Sequence, residues 1–409
     1  MPLKLPPPPK ADYMRGSIAT SRRLLAAVHA VIHELIVGTF STKFLYTVEF
    51  DDETLTLSLV ANTSVPFAGN WISFSVRKPQ ALEMVLIGGK HDKANLYSTA
   101  YGQSNQPQNP MFISYSLNNA TSIEHKATIP AGGNCSATSI FVLADHNPPY
   151  DVYGTFFASR AGINAGCGSV FSVDENGVLD EVIQNYTYFV NVSGVHGAAF
   201  SPDSRFLYSA DDTGNTLWIH SVDRSTGDVA FLANLTGPSP GSDPRHVTVH
   251  PNGKYLYMIL EGSSQLAQYT VDQTTGIPAY DLAYPLILSA QSPVNYWADE
   301  VALSCSNKYL WATNRARDAN NSGYISVFGL DEQGVILKQN FLIPTSSSGG
   351  ISNILSPSPY TDKFALLTSN STGSIEVWEL DDDGCSASVV AHLDINDGGG
   401  CCSNALWYS

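Results

Sequence analysis

The sequence predicts an all-β chain that folds as a single seven-bladed β-propeller. A strand-only unit occurs twice between residues 196 and 276, with its copies about 50 residues apart, which is the spacing and make-up of propeller blades. Charged residues are only 14% of the 409 residues, while Gly and Pro number 32 and 23, a balance that favours strands and tight turns. The chain also ends in a strand-like segment without a turn or partner strand of its own.

The two copies of the repeated unit define the blade pattern. They read HGAAFSPDSRFLYSADDTGNTLWIHSVDRSTGDV and TVHPNGKYLYMILEGSSQLAQYTVDQTTGIP. Each contains a short apolar strand, a Pro-Asp or Pro-Asn-Gly turn, an alternating strand with a Leu-Tyr pair, a polar loop, a third strand and an Asp-x-x-Thr-Gly turn. Apolar alternation bounded by such turn residues predicts antiparallel strands joined by short connections.

The other blades are predicted from the same pattern. From His33, the segment HELIVGTFSTKFLYTVEFDDETLTLSLV predicts three strands with a turn at Asp51 and Asp52. The segments WISFSV, ANLYSTAY and MFISYSL predict a blade that is interrupted by an insertion at residues 80–93. A third unit runs from SIFVLADHNPPYDVY to GSVFSVDENGVLDEV, and two more, beginning DEVALSCSNKYLW and SNILSPSPYTDKF, follow the repeated pair.

The final segment, NALWYS, is predicted to add a strand to the first group, so that the N- and C-terminal strands share one blade. This closure makes seven blades and removes two free sheet edges, which are a hazard for unwanted pairing. We therefore predict one propeller domain over residues 33–409. Residues 1–32 are predicted to be a separate segment, disordered or signal-like, because a proline run at 6–9 and two arginines precede a short apolar stretch at 24–32.

Charge and hydropathy limit the possible partners. The formal net charge is −16, with 21 Lys and Arg against 37 Asp and Glu, which argues against nucleic acid as a ligand. No apolar run reaches the roughly 18 to 20 residues needed to cross a bilayer, so no membrane span is expected. A small anionic substrate would need a local cluster of arginines.

Cysteines and glycosylation sequons bear on the cellular compartment. The six cysteines form no CxxC pair, which argues against zinc and thioredoxin-type sites, while their even number allows disulfides of open connectivity. Eight Asn-x-Ser/Thr sequons favour a secreted glycoprotein, with a cytoplasmic protein as the alternative. The sequon asparagines are Asn62, Asn119, Asn134, Asn185, Asn191, Asn234, Asn320 and Asn370.

Alignment of the units on their Leu-Tyr or Leu-Trp pairs reveals a recurrent polar position. The residue four positions past the aromatic is Asp212 in one unit, Glu261 in the next and Arg315 in the one after. The same register in the last unit gives Asn370. Because one blade position recurs around the propeller axis, we expect these side chains at one depth of the ring.

A second recurrent position precedes the first strand of two successive units and carries His196 and Arg245. In propellers the first strand lines the central channel, and loops at its mouth carry ligand contacts. The residues predicted to converge there are His196, Arg245, Glu261 and Arg315. The alternative is that Glu261 and Arg315 form only an ion pair between blades. Arg317 is a candidate for substrate binding or a solvated side chain.

Three other motifs indicate less. Gly237 to Gly241 has the spacing of a nucleophile elbow, but two prolines and the lack of a following helix argue against an activated serine. His246 and His250 lie four apart on a predicted strand and share a face, yet no third ligand is evident, so no metal site is predicted. The Tyr and Trp residues of the Leu-Tyr and Leu-Trp pairs are predicted to pack between blades.

Several of these segments together resemble one protein family. The segments VHGAAFSPDSRFLYSAD, PRHVTVHPNGKYLYMILEG, NPPYDVY, SGGISN and NALWYS, with Asn-Arg-Ala around Arg315, resemble the fungal 3-carboxy-cis,cis-muconate lactonizing enzymes. Those enzymes are cofactor-free seven-bladed propellers related to the bacterial propeller-type 6-phosphogluconolactonases. The resemblance covers nearly all of residues 33–409 and implies active-site roles for the same four residues, His196, Arg245, Glu261 and Arg315.

The resemblance implies a reaction that needs no cofactor. A carboxylate of the substrate adds across a double bond of the same molecule and forms a γ-lactone, in the β-ketoadipate route of aromatic breakdown. Arg245 and Arg315 are expected to clamp a polycarboxylate, or a lactone, with bidentate hydrogen bonds. His196 is expected to be the general acid, with Glu261 as the second choice or as the residue that orients His196.

The chain also departs from the pattern of those enzymes. Gly102 and Gln103 stand where they have lysines, Asn134 stands in place of a His-Pro-Arg segment, and Ile351 stands in place of a histidine. The sequence therefore predicts a less cationic cavity. Two alternatives stay open: a secreted, glycosylated propeller that binds a ligand or surface without turnover, and a lactone hydrolase in which His196 or Glu261 activates water.

Overall fold

A computed structural model describes residue 1 and residues 31–75, 95–100, 110–132, 138–157, 166–190 and 192–409. These residues form seven antiparallel sheets of four strands each, which confirms the predicted all-β, seven-bladed propeller. Within these ranges the single helical segment is a 3₁₀ turn at Pro293–Asn295. No helix in the described residues is long and apolar enough to cross a bilayer. The predicted insertion at 80–93 and most of residues 1–32 lie outside the described residues.

The blades are numbered in chain order, with strands given from the axis outwards. Blade 1 contains β28 (Ala405–Trp407), β1 (Ile32–Val37), β2 (Phe44–Asp51) and β3 (Thr56–Ser64). Blade 2 contains β4 (Ile72–Phe74), β5 (Asn95–Thr99), β6 (Met111–Asn119) and β7 (Ser122–Pro130). Blade 3 contains β8 (Thr138–Ala144), β9 (Val152–Phe157), β10 (Cys167–Val173) and β11 (Leu179–Thr187).

The repeated pair of sequence units forms blades 4 and 5. Blade 4 contains β12 (Val195–Phe200), β13 (Phe206–Asp211), β14 (Thr216–Val222) and β15 (Val229–Thr236), and blade 5 contains β16 (Pro244–Val249), β17 (Tyr255–Leu260), β18 (Gln265–Val271) and β19 (Pro278–Pro285). Blade 6 contains β20 (Tyr296–Leu303), β21 (Tyr309–Ala316), β22 (Tyr324–Leu330) and β23 (Ile336–Pro344). Blade 7 contains β24 (Leu355–Pro357), β25 (Phe364–Ser369), β26 (Ser374–Leu380) and β27 (Ala387–Asp394).

The two ends of the chain close the ring as predicted. Strand β28 pairs with β1, with Leu35 opposite Trp407 and Val37 opposite Ala405. The Trp407 Nε1–H donates a hydrogen bond of 2.8 Å to the carbonyl oxygen of Ser356 in blade 7. Blade 1 is therefore held by strands from both ends of the sequence, and the hydrogen-bonding edge of β1 is paired.

The hydrophobic core lies between neighbouring blades. In blades 4 and 5, for example, Tyr208 and Leu217 pack against Leu256 and Met258 in one buried cluster. Equivalent clusters join each of the other neighbouring pairs, including blades 7 and 1. Because each sheet buries both faces against its neighbours, the alternating residues of the inner strands are apolar on both sides.

Three tyrosines of Leu-Tyr pairs, and Tyr153 of a Val-Tyr pair, also join blades 2 to 6 in succession. Each hydroxyl donates a hydrogen bond to the carbonyl oxygen of a glycine in a turn of the following blade. The pairs are Tyr97 with Gly177, Tyr153 with Gly227, Tyr208 with Gly276 and Tyr257 with Gly334. The four glycines have φ between 73° and 90°, which L side chains rarely adopt. The prediction that these aromatic residues pack between blades is confirmed.

Removal of one tyrosine hydroxyl is expected to weaken the joint between two blades. Tyr208→Phe leaves the Gly276 carbonyl without the 2.9 Å hydrogen bond it accepts, and should lower the free energy of unfolding by about 1 to 3 kcal/mol. Chemical denaturation measures this difference. Tyr280→Phe is the matched control, because that side chain is 49% exposed, and it should change stability by less than about 0.5 kcal/mol. Equal effects of the two variants would contradict the expectation.

The described cysteines include bonded and free side chains. Cys401 and Cys402 form a disulfide with each other, and both are buried in the core between blades 7 and 1. Cys167 is also disulfide-bonded, whereas Cys305 and Cys385 are free and exposed. Cys135 lies outside the described residues. The chain therefore contains disulfides. The even number of cysteines in the sequence allowed disulfides but did not establish them.

Candidate active site

A cavity of about 410 Å³ lies on the axis of the ring. All seven blades contribute to its lining, which is possible only where the blades meet. Its walls combine aromatic and aliphatic side chains with a group of titratable residues from blades 4, 5 and 6, called here the charged sector: His196, Asp212, Arg245, Glu261 and Arg315. One lining residue from each blade, in order, is Phe40, Trp71, Ile140, His196, Arg245, Trp297 and Ile354.

β-Bulges direct inner-strand side chains into and around the cavity. In blade 4 the pairing of β12 with β13 shifts between Val195 and Gly197, so that His196 is the extra residue. Equivalent shifts occur in β8 at Ile140, in β16 across Arg245 and His246, and in β20 across Asp299 and Glu300. A bulge turns a side chain out of the regular alternation of a strand, and bulges are frequent beside active sites. The same local irregularity thus places inner-strand side chains of four successive blades, 3 to 6, in or beside the cavity.

The ends of the second strands supply the other charged residues. Asp212 directly follows β13, Glu261 directly follows β17, and Arg315 is the last residue but one of β21. All three line the cavity together with His196 and Arg245, as the register of the units predicts. Asn370, the fourth member of that register, lies outside the lining, and its Nδ2 donates to the Cys401 carbonyl oxygen at 3.4 Å.

Two arginines and two carboxylates form the centre of the charged sector. One Glu261 oxygen, Oε2, lies 2.8 Å from Arg245 Nε and 3.1 Å from Arg315 Nη2. Asp299 contacts the same two arginines from beneath, through Arg245 Nη1 and through Arg315 Nε at 3.5 Å. Arg315 Nη1 also donates to the Ile351 carbonyl oxygen at 2.8 Å. The predicted ion pair between Glu261 and Arg315 therefore exists, and it forms part of the cavity wall.

Burial makes this network strongly coupled. Asp299 is 0% exposed and Arg245 is 3% exposed. Burial alone would raise the pKa of Asp299, but the nearby Arg245 and Arg315 guanidiniums hold that pKa below its ordinary value. Burial would likewise lower the pKa of Arg245, and Asp299 and Glu261 raise it instead. Asp299 is therefore an ionised carboxylate that contacts both guanidiniums and helps to position them.

His196 is an uncharged imidazole at neutral pH. Burial, and then the charges of Arg245, His246 and Arg315, lower its pKa well below the ordinary 6.5. Its ring packs 5.6 Å from Phe157 and 5.4 Å from His246, measured between ring centroids. In this state His196 has no acidic proton to donate, whereas the resemblance implied a general acid. The hydrogen bonds and ion pairs of Glu261 described above go to arginines and do not orient His196.

His246 packs against two residues that line the cavity, Trp71 and His196. Its Nδ1 lies 2.8 Å from Glu300 Oε2, and its ring packs 4.9 Å from Trp71 between ring centroids. His250, the second of the two histidines considered as metal ligands, begins a turn. Its Nδ1 accepts a hydrogen bond from the Asn252 N–H at 3.3 Å. Among the described residues no group of three or more His, Cys, Asp or Glu side chains is arranged to hold a metal ion.

Asp212 has an unusual carboxyl group. Burial, followed by the negative charge of Glu261, raises its pKa to about 7, although the Thr213 hydroxyl and Arg245 act in the opposite direction. The Thr213 Oγ1–H donates to Asp212 Oδ1 at 2.6 Å. Around neutral pH the cavity therefore contains one carboxyl group that exists in both its protonated and its ionised form.

Most of the remaining lining of the cavity is aromatic or aliphatic. Trp71, Phe157 and Trp297 present aromatic rings, and Ile351 contributes an exposed aliphatic side chain. Ile351 thus lines the cavity with an aliphatic group, as the departure from the family pattern predicted, while Gly102, Gln103 and Asn134 lie outside the described residues. Exposed Arg317 stacks on Trp297, with its Cζ 4.2 Å from the ring centroid. It lies outside the lining, so a role in substrate binding stays a prediction.

The remaining sequence motif has a structural role. Ser239, at the centre of the Gly-Pro-Ser-Pro-Gly segment, has its N–H bonded to the Ser242 hydroxyl at 2.9 Å. The Ser242 hydroxyl in turn donates to the Ser239 carbonyl oxygen at 2.8 Å. The segment is a self-bonded turn between β15 and β16, in agreement with the argument against an activated serine.

The cavity therefore combines two guanidiniums, an uncharged imidazole and a carboxyl group with a raised pKa. Comparison with known proteins gives the family. The carboxy-cis,cis-muconate cyclase of Neurospora crassa is 35% identical over 395 residues, which are 92% of this chain and 99% of that protein. The chain therefore belongs to the carboxymuconate cyclase family of propeller lactonases. The family model described as "Lactonase, 7-bladed beta-propeller" matches residues 157–349, which include the charged sector.

More distant relatives and solved structures are also similar to this chain. Muconate cycloisomerase 1 of Cutaneotrichosporon cutaneum is 24% identical over 86% of this chain and 91% of its own. Among solved structures, the periplasmic gluconolactonase of Pseudomonas aeruginosa superposes with a TM-score of 0.72 at 17% identity, covering 93% of this chain and 99% of its own. A putative 6-phosphogluconolactonase from Bacteroides uniformis gives 0.70 at 17% identity, covering 92% and 98%. At such identity the two structures share the fold alone.

Proposed function

We propose that the protein is a lactonizing cycloisomerase that adds a carboxylate of a muconate-type dienoate across one of the double bonds of the same molecule. The observation that carries this proposal is the pair of guanidiniums, Arg245 and Arg315, which Asp299 and Glu261 hold at one side of an axial cavity with aromatic and aliphatic walls. The similarity to the carboxy-cis,cis-muconate cyclase of Neurospora crassa supports the same reaction class.

The arginines act through position and charge. Fixed guanidiniums hold a substrate carboxylate by charge-assisted hydrogen bonds and keep its oxygen close to the alkene carbon. Ring closure forms the C–O bond, while the π electrons move to the carbon next to another carboxylate and give an enolate-like charge. The immobile cations stabilise this charge without reorganisation, since Asp299 already holds them in place. A proton added to that carbon completes the lactone.

The aromatic walls suit a flat conjugated substrate. Trp71 and Trp297 can face the diene and exclude water from the developing charge, which strengthens its attraction to the arginines. With Ile351 in the lining, recognition of carboxylates by the described residues depends on Arg245 and Arg315. We therefore expect the dicarboxylate cis,cis-muconate to be accepted as well as 3-carboxy-cis,cis-muconate.

Product identification tests the proposal directly. The purified chain is incubated separately with cis,cis-muconate and 3-carboxy-cis,cis-muconate, and loss of the diene absorbance is followed. NMR of the products should identify a γ-lactone. A folded protein that leaves both dienoates unchanged would overturn the proposal. If that protein nevertheless bound the dienoates, the alternative of a propeller that binds without turnover would be favoured.

Lactone hydrolysis is the second candidate, and the state of His196 favours it. A neutral imidazole that lines the cavity can accept a proton from an attacking water, which is the role of a general base. The same arginines would then stabilise the oxyanion formed at the lactone carbonyl. Incubation with six-carbon sugar lactones separates the two candidates, because only a hydrolase releases acid from them faster than buffer does.

We also propose that the chain is secreted and glycosylated on its outer rim. Asn62 in β3, Asn185 in β11 and Asn234 in β15 are exposed and lie on outermost strands. Each is paired with the third residue of the neighbouring strand, so the three sequons occupy equivalent positions in blades 1, 3 and 4. Sequons on exposed strands remote from the axial cavity could carry glycans without obstructing the substrate.

Glycan mapping tests this proposal. Expression through the secretory route of a eukaryotic host should give glycans at Asn62, Asn185 and Asn234, seen as a mass change that peptide-N-glycosidase reverses. Asn370 is the internal control and should stay unmodified, because it is half-buried and its Nδ2 bonds the Cys401 carbonyl oxygen. Secreted protein with unoccupied asparagines at all three rim positions would contradict the expectation.

A further inference from the structure

The source of the proton that completes the lactone is the open step of the proposed reaction. His196 is uncharged at neutral pH, and Glu261 is ion-paired with two arginines. Asp299 is an ionised carboxylate buried beneath those arginines. His196 and Asp299 therefore have no acidic proton to give, and Glu261 is engaged by its contacts with the two arginines. Asp212 is the remaining carboxyl group in the lining of the described cavity.

We propose that Asp212 is the catalytic acid of this cavity and delivers the proton to the substrate carbon next to the carboxylate as the lactone ring closes. This inference rests on the proposed function and adds a residue to it. Asp212 occupies in blade 4 the position that Glu261 occupies in blade 5 and Arg315 in blade 6. The acid therefore faces the same space as the groups that hold the substrate.

The surroundings of Asp212 keep it apart from the arginine network. Its Oδ1 accepts the Thr213 hydroxyl at 2.6 Å, which orients the carboxyl group. The charged groups that act on it are Glu261 from the end of β17, Arg245 from β16 and Asp211 from its own strand. Asp211 is committed to the fold, because its carboxylate accepts hydrogen bonds from Ser193, Gly194, Gly214 and Trp218.

Anionic substrate should increase the protonation of Asp212. Burial and Glu261 already raise the pKa of this carboxyl to about 7 in the free protein. A substrate carboxylate bound by Arg245 adds negative charge nearby and offsets the effect of Arg245, which favours ionised Asp212. Substrate binding is thus linked to proton uptake at neutral pH, and the proton is placed beside the atom that needs it.

The step balances without any further reactant. The C–O bond of the lactone forms as the C=C π bond breaks, and the electron pair of that bond passes to the carbon next to the carboxylate. The O–H bond of Asp212 then breaks as the new C–H bond forms. Asp212 leaves the step as a carboxylate and regains its proton from solvent after product release. No electrons are gained or lost overall.

Kinetics of Asp212→Asn and Asp212→Glu test the assignment in an active parent. Asp212→Asn should lower kcat by about 100-fold and change KM by less than about threefold, because general acids contribute at this scale. The parent kcat should fall as the pH rises above the pKa of Asp212, and this limb should be absent from the Asn variant and restored, at a shifted pH, by Glu. Asp203→Asn, on the exposed Asp203–Arg205 pair, is the control that should match the parent. An Asn variant within threefold of parent kcat, or with the same alkaline limb, would overturn the proposal.

Direct titration keeps this inference separate from the proposed function. In protein labelled with ¹³C at the aspartate carboxyl carbons, the resonance lost in Asp212→Asn belongs to Asp212. Titration of that resonance near pH 7 supports the proposal, and titration near the ordinary value of about 4 overturns it, whether or not dienoates react. Failure of the parent to convert any dienoate would instead overturn the proposed function.

Discussion

Arg245→Ala is expected to lower kcat/KM for dienoate lactonisation by about 1,000-fold, with most of the loss in kcat. Arg245 is 3% exposed and bound by Asp299 and Glu261, so its guanidinium cannot be replaced by a mobile cation from solvent. The variant loses a cation that holds the attacking carboxylate and stabilises the enolate-like charge. Stopped assays at substrate concentrations above and below KM separate the two parameters.

Two further variants give this experiment its controls. Arg245→Lys keeps the charge but loses the planar fork, and should recover only part of the lost rate, because an ammonium cannot contact two carboxylate oxygens as a guanidinium does. Arg205→Ala removes a half-exposed surface arginine whose partners are Asp203 and Gln273, and should leave the kinetics at the parent level. If Arg245→Ala is folded by circular dichroism and retains kcat/KM within threefold of the parent, Arg245 is not part of the chemistry.

The fold was predictable because its signals are local. The Pro-Asp and Pro-Asn-Gly turns, the Leu-Tyr pairs and the Asp-x-x-Thr-Gly turns recur in the sequence, and each determines one connection or one strand. In the structure the same residues form the turns after β12, β16, β14 and β18. Ring closure was predictable as well, because an unpaired last strand and a three-stranded first group leave one arrangement that pairs both edges.

The site was predictable in part. Alignment of the repeated units identified Asp212, Glu261 and Arg315 as candidates, and in the structure all three line one cavity. Asp299 was missed, although a signal for it exists. Asp299 and Glu300 interrupt the apolar strand β20 at the bulge position that Arg245 and His246 occupy in β16. Consecutive acids inside a buried strand are costly unless cations pair with them, so the same alignment would have paired Asp299 with Arg245.

Protonation states could not be predicted from the sequence. An unperturbed histidine titrates near neutral pH and an unperturbed aspartate well below it, which makes His196 the expected acid and Asp212 an unremarked carboxylate. Burial reverses this order, because it disfavours the charged form of both side chains, and the neighbouring charges reinforce it. Burial and neighbours depend on residues far apart in the chain, such as Arg245 beside His196 and Glu261 beside Asp212.

Asp299→Asn is expected to lower the free energy of unfolding by about 3 to 5 kcal/mol, because it leaves two buried guanidiniums with Glu261 as their shared carboxylate. The substitution preserves shape, and the Asn353 N–H that donates to Asp299 Oδ2 at 2.5 Å can still find an oxygen. The decrease in the free energy of unfolding therefore measures how far the negative charge of Asp299 compensates the buried charges of Arg245 and Arg315. Denaturant unfolding at pH 7 measures it, and kcat/KM should fall in parallel because Arg245 and Arg315 lose the charged contacts with Asp299 that help to position them.

The pH dependence of this loss identifies its origin. Arg245 and Arg315 hold the folded-state pKa of Asp299 below its ordinary 3.8, so its stabilising effect is present above about pH 4 and disappears as the pH falls through the folded-state pKa. The stability difference between parent and Asp299→Asn should therefore be constant from pH 5 to 7 and narrow only below about pH 4. Asp203→Asn breaks a similar pair with Arg205 at the surface and should cost less than about 1 kcal/mol, since solvent screens exposed pairs. Equal losses in the two variants would show that Asp299 does not compensate buried charge.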